Sequence, residues 1–425
     1  MDLALLKNCV KARFRNLLIK ITPYTHFIPK RLRNWVSDKL FRATENRIAI
    51  PAPYQPGAFE GGVNLFGLFK AEIGLAQGLK LYASALEKSG VPHTFLNTNF
   101  LSWLPQKDTA FDSRLSARPR YAINLVHINP DQWIQACGMF PQKAFDGHYN
   151  IGVWLWELED IPEKWHDTFP YVNELWAPSR FIADALKKVS PVPVTFIPYG
   201  MDVPVAEGLF RSDFDLPENK FLVLAMYDSN SFMSRKNPMA AVEAFHQAFG
   251  DKPEKAHLVL KINNPTEHDL AALRGVFGSD DTYTLITGTM PKPRLNALIR
   301  LCDVFISLHR SEGFGLVMAE AMALGRPVVA TNWSANVEFM PGNAACMVDY
   351  DLIPVDNAYQ WGQAGQRWAD AHVDHAAEYL RRLADDPDYY ERISLNGQRF
   401  IREHYSVEHT AALIKARVGE ILAGQ

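Results

Sequence analysis

The stretch that most restricts how this chain can fold runs from Asp303 to Thr331, DVFISLHRSEGFGLVMAEAMALGRPVVAT. Its apolar run Asp303 to Leu308 predicts a strand. Ser311-Glu312-Gly313-Phe314-Gly315 predicts a tight loop, whose glycines let backbone approach a ligand closely. Leu316 to Leu324 predicts a helix. Gly325 stands where a helix C-cap belongs and Pro327 prevents continuation, so Arg326 to Thr331 resumes as a buried strand.

Two carboxylates mark this block. Glu312 lies in the loop at the mouth of the helix. Glu320 lies on a helix that is apolar nearly all round, and a carboxylate there needs partners because an unpaired buried charge is costly. Ligand hydroxyls would serve, and so would a plain salt bridge. The backbone N–H groups of Gly313, Phe314, Gly315 and Leu316, with the helix dipole behind them, form an anion site.

Glu312, seven intervening residues and Glu320, set in SEGFGLVMAEAMALGRPVVAT, resemble the signature of the family-4 retaining glycosyltransferases, the group 1 enzymes of the GT-B fold. The resemblance implies an α/β chain of two Rossmann-like domains whose parallel sheets face each other across a cleft. It implies that Glu312 and the N–H groups of Gly313, Phe314, Gly315 and Leu316 hold the donor sugar and diphosphate, and that Glu320 holds the ribose. Family members also carry a lysine that binds the diphosphate, and in DSNSFMSRKNP (Asp228 to Pro238) Lys236 fits it. The arginine usually found several residues earlier is replaced by Asn230. Arg235 stands beside the lysine instead, which leaves two placements open, toward phosphate or toward solvent. Either way, a cation facing an anion-binding helix end makes a diphosphate clamp.

The rest of the chain reads as strands alternating with helices, which implies parallel sheets. Val63 to Phe66 is a short strand, Gly67 to Ile73 a loop and Gly74 to Lys88 a helix ending at Gly90. The glycines here lack dinucleotide-fingerprint spacing, which argues against a nicotinamide enzyme; the loop ending at Gly74 faces an acceptor or a phosphate. Tyr121 to His127 is a second strand and Tyr149 to Glu157 a third, and ligands collect at the carboxyl ends of such strands. His127 and Glu157 are therefore candidate site residues, and Trp156 is either core filler or a platform for a sugar. Strands Glu174 to Pro178 and Val194 to Pro198 flank a helix from Ser179 to Lys188 with a serine N-cap. The order VWLWELE, ELWAPSRFIADAL, VTFIPYGMD resembles the acceptor-side domain of one branch of the same family.

Met201 to Asn219 reads as an interdomain linker. Strands follow at Phe221 to Met226, His257 to Ile262 and Tyr283 to Thr287, with helices Met239 to Phe249 and Pro293 to Leu301. Beyond the central block, Asn343 to Tyr350 reads as a strand, Ala371 to Leu383 as a helix, and Tyr389 to Ala423 as helix broken near Ser406. The expected division is 1–50, a basic amphipathic segment; 51–202, an acceptor-side domain; 203–400, a nucleotide-sugar-binding domain; and 401–425, a helix returning to the first domain.

Composition narrows the function. Net charge is −3, so no global basic footprint for nucleic acid exists. Residues 1–50 are the exception: eleven Lys/Arg against three Asp/Glu give +8, leaving −11 for the remainder. With Leu3, Leu6, Val10, Phe14, Leu17 and Ile21 at helical spacing, this segment suits either an anionic membrane surface or the protein's own body. Cys9, Cys137, Cys302 and Cys346 show no metal-ligand spacing and read as reduced thiols. Neither a secretory leader nor a spanning segment is expected, so the expected location is the cytoplasm, at the inner face of the membrane in the case that residues 1–50 lie on an anionic surface.

The resemblance implies a metal-independent, cofactor-free hexosyltransferase acting with retention. It takes a nucleoside-diphosphate sugar and a glycan or lipid-linked acceptor, in cell-surface polysaccharide or glycoconjugate synthesis. Glu312, Lys236 and His127 are the expected catalytic residues, with Arg235 and Glu320 on the donor and Gly74, Trp156 and Glu157 on the acceptor side. The alternatives are another GT-B nucleotide-sugar enzyme, such as an epimerase, or a non-catalytic sugar-nucleotide-binding module.

Overall fold

The computed structural model describes residues 48–424, apart from 101–105, 251, 253, 278–281, 357, 358, 360, 361, 363 and 364. The basic amphipathic stretch of the N-terminal segment lies outside the described residues. In the first half, β1 (Glu60–Gly67), α1 (Gly74–Ser89), β2 (His93–Asn97), β3 (Tyr121–Val126), α2 (Pro130–Cys137), β4 (Tyr149–Val153), β5 (Glu174–Ala177), α3 (Arg180–Lys187) and β6 (Val194–Phe196) build one domain. Its six strands run parallel in the order β2-β1-β3-β4-β5-β6. Helices cover the sheet, so the last six residues of β1 are all buried. Asn64, Asn124 and Asn150 are paired in register across β1, β3 and β4, and their side-chain amides join at 2.9 and 2.8 Å. Such a fully bonded polar ladder adds strand register to a core that apolar contacts alone would leave free to slip.

The second half contains β7 (Phe221–Asp228), α4 (Met233–Lys236), α5 (Pro238–Phe249), β8 (Ala256–Asn263), α6 (Glu267–Phe277), β9 (Tyr283–Thr287), α7 (Lys292–Leu301), β10 (Val304–Ser307), α8 (Leu316–Ala323), β11 (Val328–Thr331) and β12 (Cys346–Val348). The parallel order is β12-β11-β10-β7-β8-β9. The strand order reverses between β1 and β3 in the first sheet and between β7 and β10 in the second. Ligands of open α/β sheets bind in the crevice outside the strand ends at such points. The structure is thus a pair of six-stranded Rossmann-like units, the GT-B architecture.

A hairpin of β13 (Tyr350–Pro354) and β14 (Arg367–Ala371) follows, then α9 (Val373–Asp385), α10 (Pro387–His404) and α11 (Val407–Leu422). α11 crosses to the first domain and packs on α1. There Arg417 meets the fully buried Glu174 at 2.9 Å, and Thr410 Oγ1 donates to the Pro198 carbonyl at 3.0 Å. Among the described residues, no helix is long and apolar enough to cross a membrane.

Several elements differ from the sequence reading. β2 was not anticipated, because HTFLN is a short, half-buried edge strand without a clean alternation. β4 stops at Val153, four residues before Glu157; Leu155 N–H donates to the Asn129 side chain at 2.8 Å, which draws the chain out of the sheet. The helix expected from residue 371 begins at Val373, because Arg367–Ala371 pairs antiparallel with Tyr350–Pro354. The segment Asp228 to Pro238 is no open loop: it holds one helical turn, α4, stopped by Asn237 at φ 46°.

Candidate active site

The β7/β10 switch point gathers the charged residues. Gly315, at φ 96°, turns the chain into α8, a backbone conformation that side chains rarely adopt. α4 delivers Arg235 and Lys236 against the loop after β10. Lys236 Nζ donates to Glu312 Oε1, and Arg235 lies 3.3 Å from the same oxygen. Burial by itself pushes the Glu312 carboxyl up, but Lys236 and Arg235 outweigh it and hold the group down at about 2. Arg235 is only 4% exposed; it donates to the Ser311 carbonyl at 2.8 Å and lies 3.6 Å from Glu157. Of the two placements the sequence left open, the arginine takes neither solvent nor a free anion site: it is buried between two carboxylates.

The loop's backbone carries donors as well. Among the described residues, the N–H groups of Gly313, Phe314 and Gly315 enter no hydrogen bond. On α8, Glu320 is 1% exposed, and Lys292 of α7 brings its ammonium to 2.6 Å from Oε2. The same oxygen lacks an aligned hydrogen bond. The lysine therefore neutralises Glu320 by proximity without donating along a lone pair of Oε2, and hydrogen-bonding capacity remains there.

The first domain's switch point is uncharged. His127, at the carboxyl end of β3, is fully buried; its Nε2 is 2.8 Å from the Tyr199 hydroxyl, and its Nδ1 has no partner among the described residues. Burial drives its pKa down to about 3, so the ring is neutral at physiological pH. Tyr199 in turn meets the Phe314 ring edge-on at 5.0 Å, linking the histidine to the glycine loop of the other domain. Gly74 opens α1, and nothing lies within 4 Å of where a side chain would begin there. Trp156 is 2% exposed, bonds Asp160 O through Nε1 at 2.9 Å and packs edge-on against Trp165 at 4.9 Å. Its ring therefore belongs to the core that backs the cleft.

The two domains touch directly. A side chain at Gly313 would come within 2.7 Å of the Trp156 carbonyl, so this glycine permits close approach of the other domain's backbone. Ser179 Oγ donates to Gly313 O at 2.8 Å. Glu338, just after β11, accepts from Arg180 N–H and Phe181 N–H, both at 2.8 Å, and so caps α3 of the opposite domain. Sequence reasoning singled out none of Tyr199, Lys292 and Glu338. Tyr199 stood within the family-like VTFIPYGMD, which was a usable signal; a carboxylate capping a helix 158 positions away left none.

This pair of facing six-stranded parallel sheets, with two cations and a carboxylate gathered at the second switch point, has the GT-B architecture. Residues 227–364 match the family model for glycosyl transferases group 1. Among curated proteins it is similar to an MMP α-(1→4)-mannosyltransferase of Mycolicibacterium hassiacum, 27% identical over 53% of this chain and 47% of that protein. It is also similar to a D-inositol 3-phosphate glycosyltransferase of an Arthrobacter species, 28% identical over 45% of this chain and 41% of the relative. The alignments thus span less than half the length of either relative. Among solved structures, a glycosyltransferase from Rickettsia africae has TM-score 0.63 at 13% identity, covering 86% of this chain and 100% of that one. HepE of Anabaena, solved with UDP-glucose, has TM-score 0.59 at 15% identity, covering 85% and 100%. These likenesses establish the shared fold.

Proposed function

We propose that the protein is a retaining glycosyltransferase that moves a hexose from a nucleoside-diphosphate sugar to a glycan or lipid-linked acceptor. The observation that carries this reading is the convergence of Lys236 and Arg235 on Glu312 at the mouth of α8, where sheet topology places ligands. In the free protein Lys236 is neutralised by Glu312. A diphosphate would take over Lys236 and the N–H groups of Gly313, Phe314, Gly315 and Leu316, releasing Glu312 Oε1 to accept from sugar hydroxyls. Charge developing on the departing diphosphate would then meet preorganised donors. Glu312 holds the sugar and does not attack it, so the paired carboxylates of glycosidases are not the template. Glu320 would accept from the ribose hydroxyls with the lone pairs Lys292 leaves open.

On the acceptor side, neutral His127 would accept a hydrogen bond through Nδ1, its unused ring nitrogen in the tautomer that donates to Tyr199. Gly74 leaves room for the acceptor, and Glu157 lies across from Arg235. Relatives that carry transferase names support the reaction class. The chemistry needs no metal or cofactor in this reading. Incubating the protein with a panel of nucleoside-diphosphate sugars and assaying nucleotide release tests it. Release from none of them, with or without acceptors, would sink the transferase reading.

Residues 1–50 would bring the enzyme to an anionic cytoplasmic membrane face, where a lipid-linked acceptor lies; each surface-close Lys or Arg contributes about 1 kcal/mol. Co-sedimentation of the full chain with anionic but not neutral vesicles, weakening with salt, is the expected result. Equal binding to both would remove the electrostatic anchor.

A further inference from the structure

A concavity opens between the domains, one side chain away from Glu312. It encloses about 320 Å³ and is bounded by the loop after β3, the segment leaving β4, the turn before α4, and Tyr359 from the β13–β14 connection. Arg235 belongs to both sites: it lies 3.3 Å from Glu312 on one side and forms pocket wall on the other. The outer wall is pinned across the cleft, with Tyr359 OH donating to Glu157 at 3.3 Å and Gln366 Nε2 donating to Asp160 O at 2.9 Å.

The lining has hydrogen-bonding capacity left over. Arg235 is buried, its two terminal nitrogens are engaged, and its Nε has no partner among the described residues. Asn129 spends its carbonyl on Leu155 N–H and enters no hydrogen bond through its NH2 among the described residues. Trp165 and Phe232 add apolar surface beside these groups. Two spare donors set beside an aromatic wall suit a pyranose, whose hydroxyl oxygens accept around its rim and whose C–H groups present a face.

The charge of the lining narrows the class further. Asp131 and Glu157 both line the pocket, while its arginine is already offset by Glu157 and Glu312. Lys164 lies near enough to Asp131 to offset part of its charge from outside the lining, but an anionic group entering here would still face two carboxylates and find the lining's arginine taken, and such repulsion discriminates against it.

We propose that this pocket, built from Asn129, Asp131, Glu157, Arg235 and Tyr359, is the acceptor subsite and that it takes an uncharged, hydroxyl-rich sugar while rejecting uronic acids and sugar phosphates. The assignment of it to the acceptor rests on the transferase reading; its character as a saccharide site does not. The test uses the full chain and two readouts. In the first, a methyl hexoside and the matching methyl hexuronide are titrated while tryptophan fluorescence is followed, since Trp156 and Trp165 line the pocket. In the second, transfer to the same glycosides is measured with an accepted donor.

The neutral glycoside is expected to quench and to serve as acceptor at least about tenfold better in kcat/KM than the uronide. Asp131→Lys narrows or reverses that preference, and it raises the KM of the neutral acceptor more than that of the donor. Asn230→Ala, on the facing wall, raises acceptor KM in the same sense should the lysine variant fail to fold. Equal use of neutral and acidic glycosides, or variants that move donor KM as much as acceptor KM, overturns the proposal. Quenching by the neutral sugar that Asp131→Lys weakens, in a protein that consumes no donor, retains the saccharide site and removes the transferase reading instead.

Discussion

The two switch points of this molecule occupy equivalent positions on similar sheets and have opposite chemistry. The one between β7 and β10 is ionic: Arg235, Lys236 and Glu312 compensate one another, and Glu157 reaches in from the other domain. The one between β1 and β3 is neutral: His127 is surrounded by Tyr82 and Tyr199, and among the described residues no charged side chain offsets its burial. The sheet topology supplies the location, and the loop residues decide what binds there. The proposed division of labour follows, with the diphosphate among the compensated charges and the acceptor's reacting hydroxyl beside neutral His127, while the rest of the acceptor occupies the pocket that Arg235 and Glu157 share with the donor side.

Breaking the ionic side should have the largest effects. Arg235→Met strips the buried cation from between Glu157 and Glu312. Removing one partner of a buried ion pair costs about 3–5 kcal/mol, so a large fall in the urea midpoint is expected. An unchanged midpoint would show that Arg235 is solvated and the cluster loose. Lys236→Ala leaves Glu312 with the arginine alone and takes a cation from the diphosphate. A loss of roughly 2–4 kcal/mol in kcat/KM is expected. If every donor turned over as in the parent, Lys236 would be outside the site.

Glu320→Gln tests the inner edge of the ionic side. Losing a hydrogen-bond acceptor for ribose should cost about 1–3 kcal/mol of nucleoside-diphosphate affinity, read as a smaller ligand-induced thermal shift. Should the variant lose stability yet keep its affinity for the nucleotide, the ion pair with Lys292 would be its whole role.

The neutral side gives the smallest and most specific effect, a pH dependence. His127 has a folded-state pKa of about 3 against an ordinary 6.5. Between those values the unfolded chain binds the extra proton, so stability is fully present above 6.5 and is lost as pH falls toward 3. Glu312, depressed from 4.5 to about 2, adds a loss confined to more acid conditions. His127→Gln should therefore lose less stability than the parent between about pH 7 and pH 5. Urea midpoints at the two pH values check this. Parallel losses in both proteins would mean that the histidine protonates freely in the folded state.

What could be read from the chain follows a physical division. The bounds of β9 coincide with Tyr283 to Thr287 as expected, and α8 stops where Gly325, at φ 70°, closes it. These features depend on local pattern and turn chemistry, which neighbouring residues carry. β2 and the β13–β14 hairpin were not legible, because edge strands owe their form to the strand they pair with.

By itself the sequence determined the α/β class with parallel strands and the helix mouth that presents Glu312, since alternating apolar strands and capped helices specify these locally; the division into two facing sheets was implied only by the family resemblance. Only the tertiary structure decided which charges meet. Lys236 and Glu312 are 76 positions apart, and Arg235 faces inward because Ser311 O, Glu312 and Glu157 converge on it from two domains. The approach of the halves also set the cap of Glu338 on α3 and the proposed acceptor pocket. Both need surfaces that exist only after each sheet has formed, and one-dimensional spacing carries no record of such contacts.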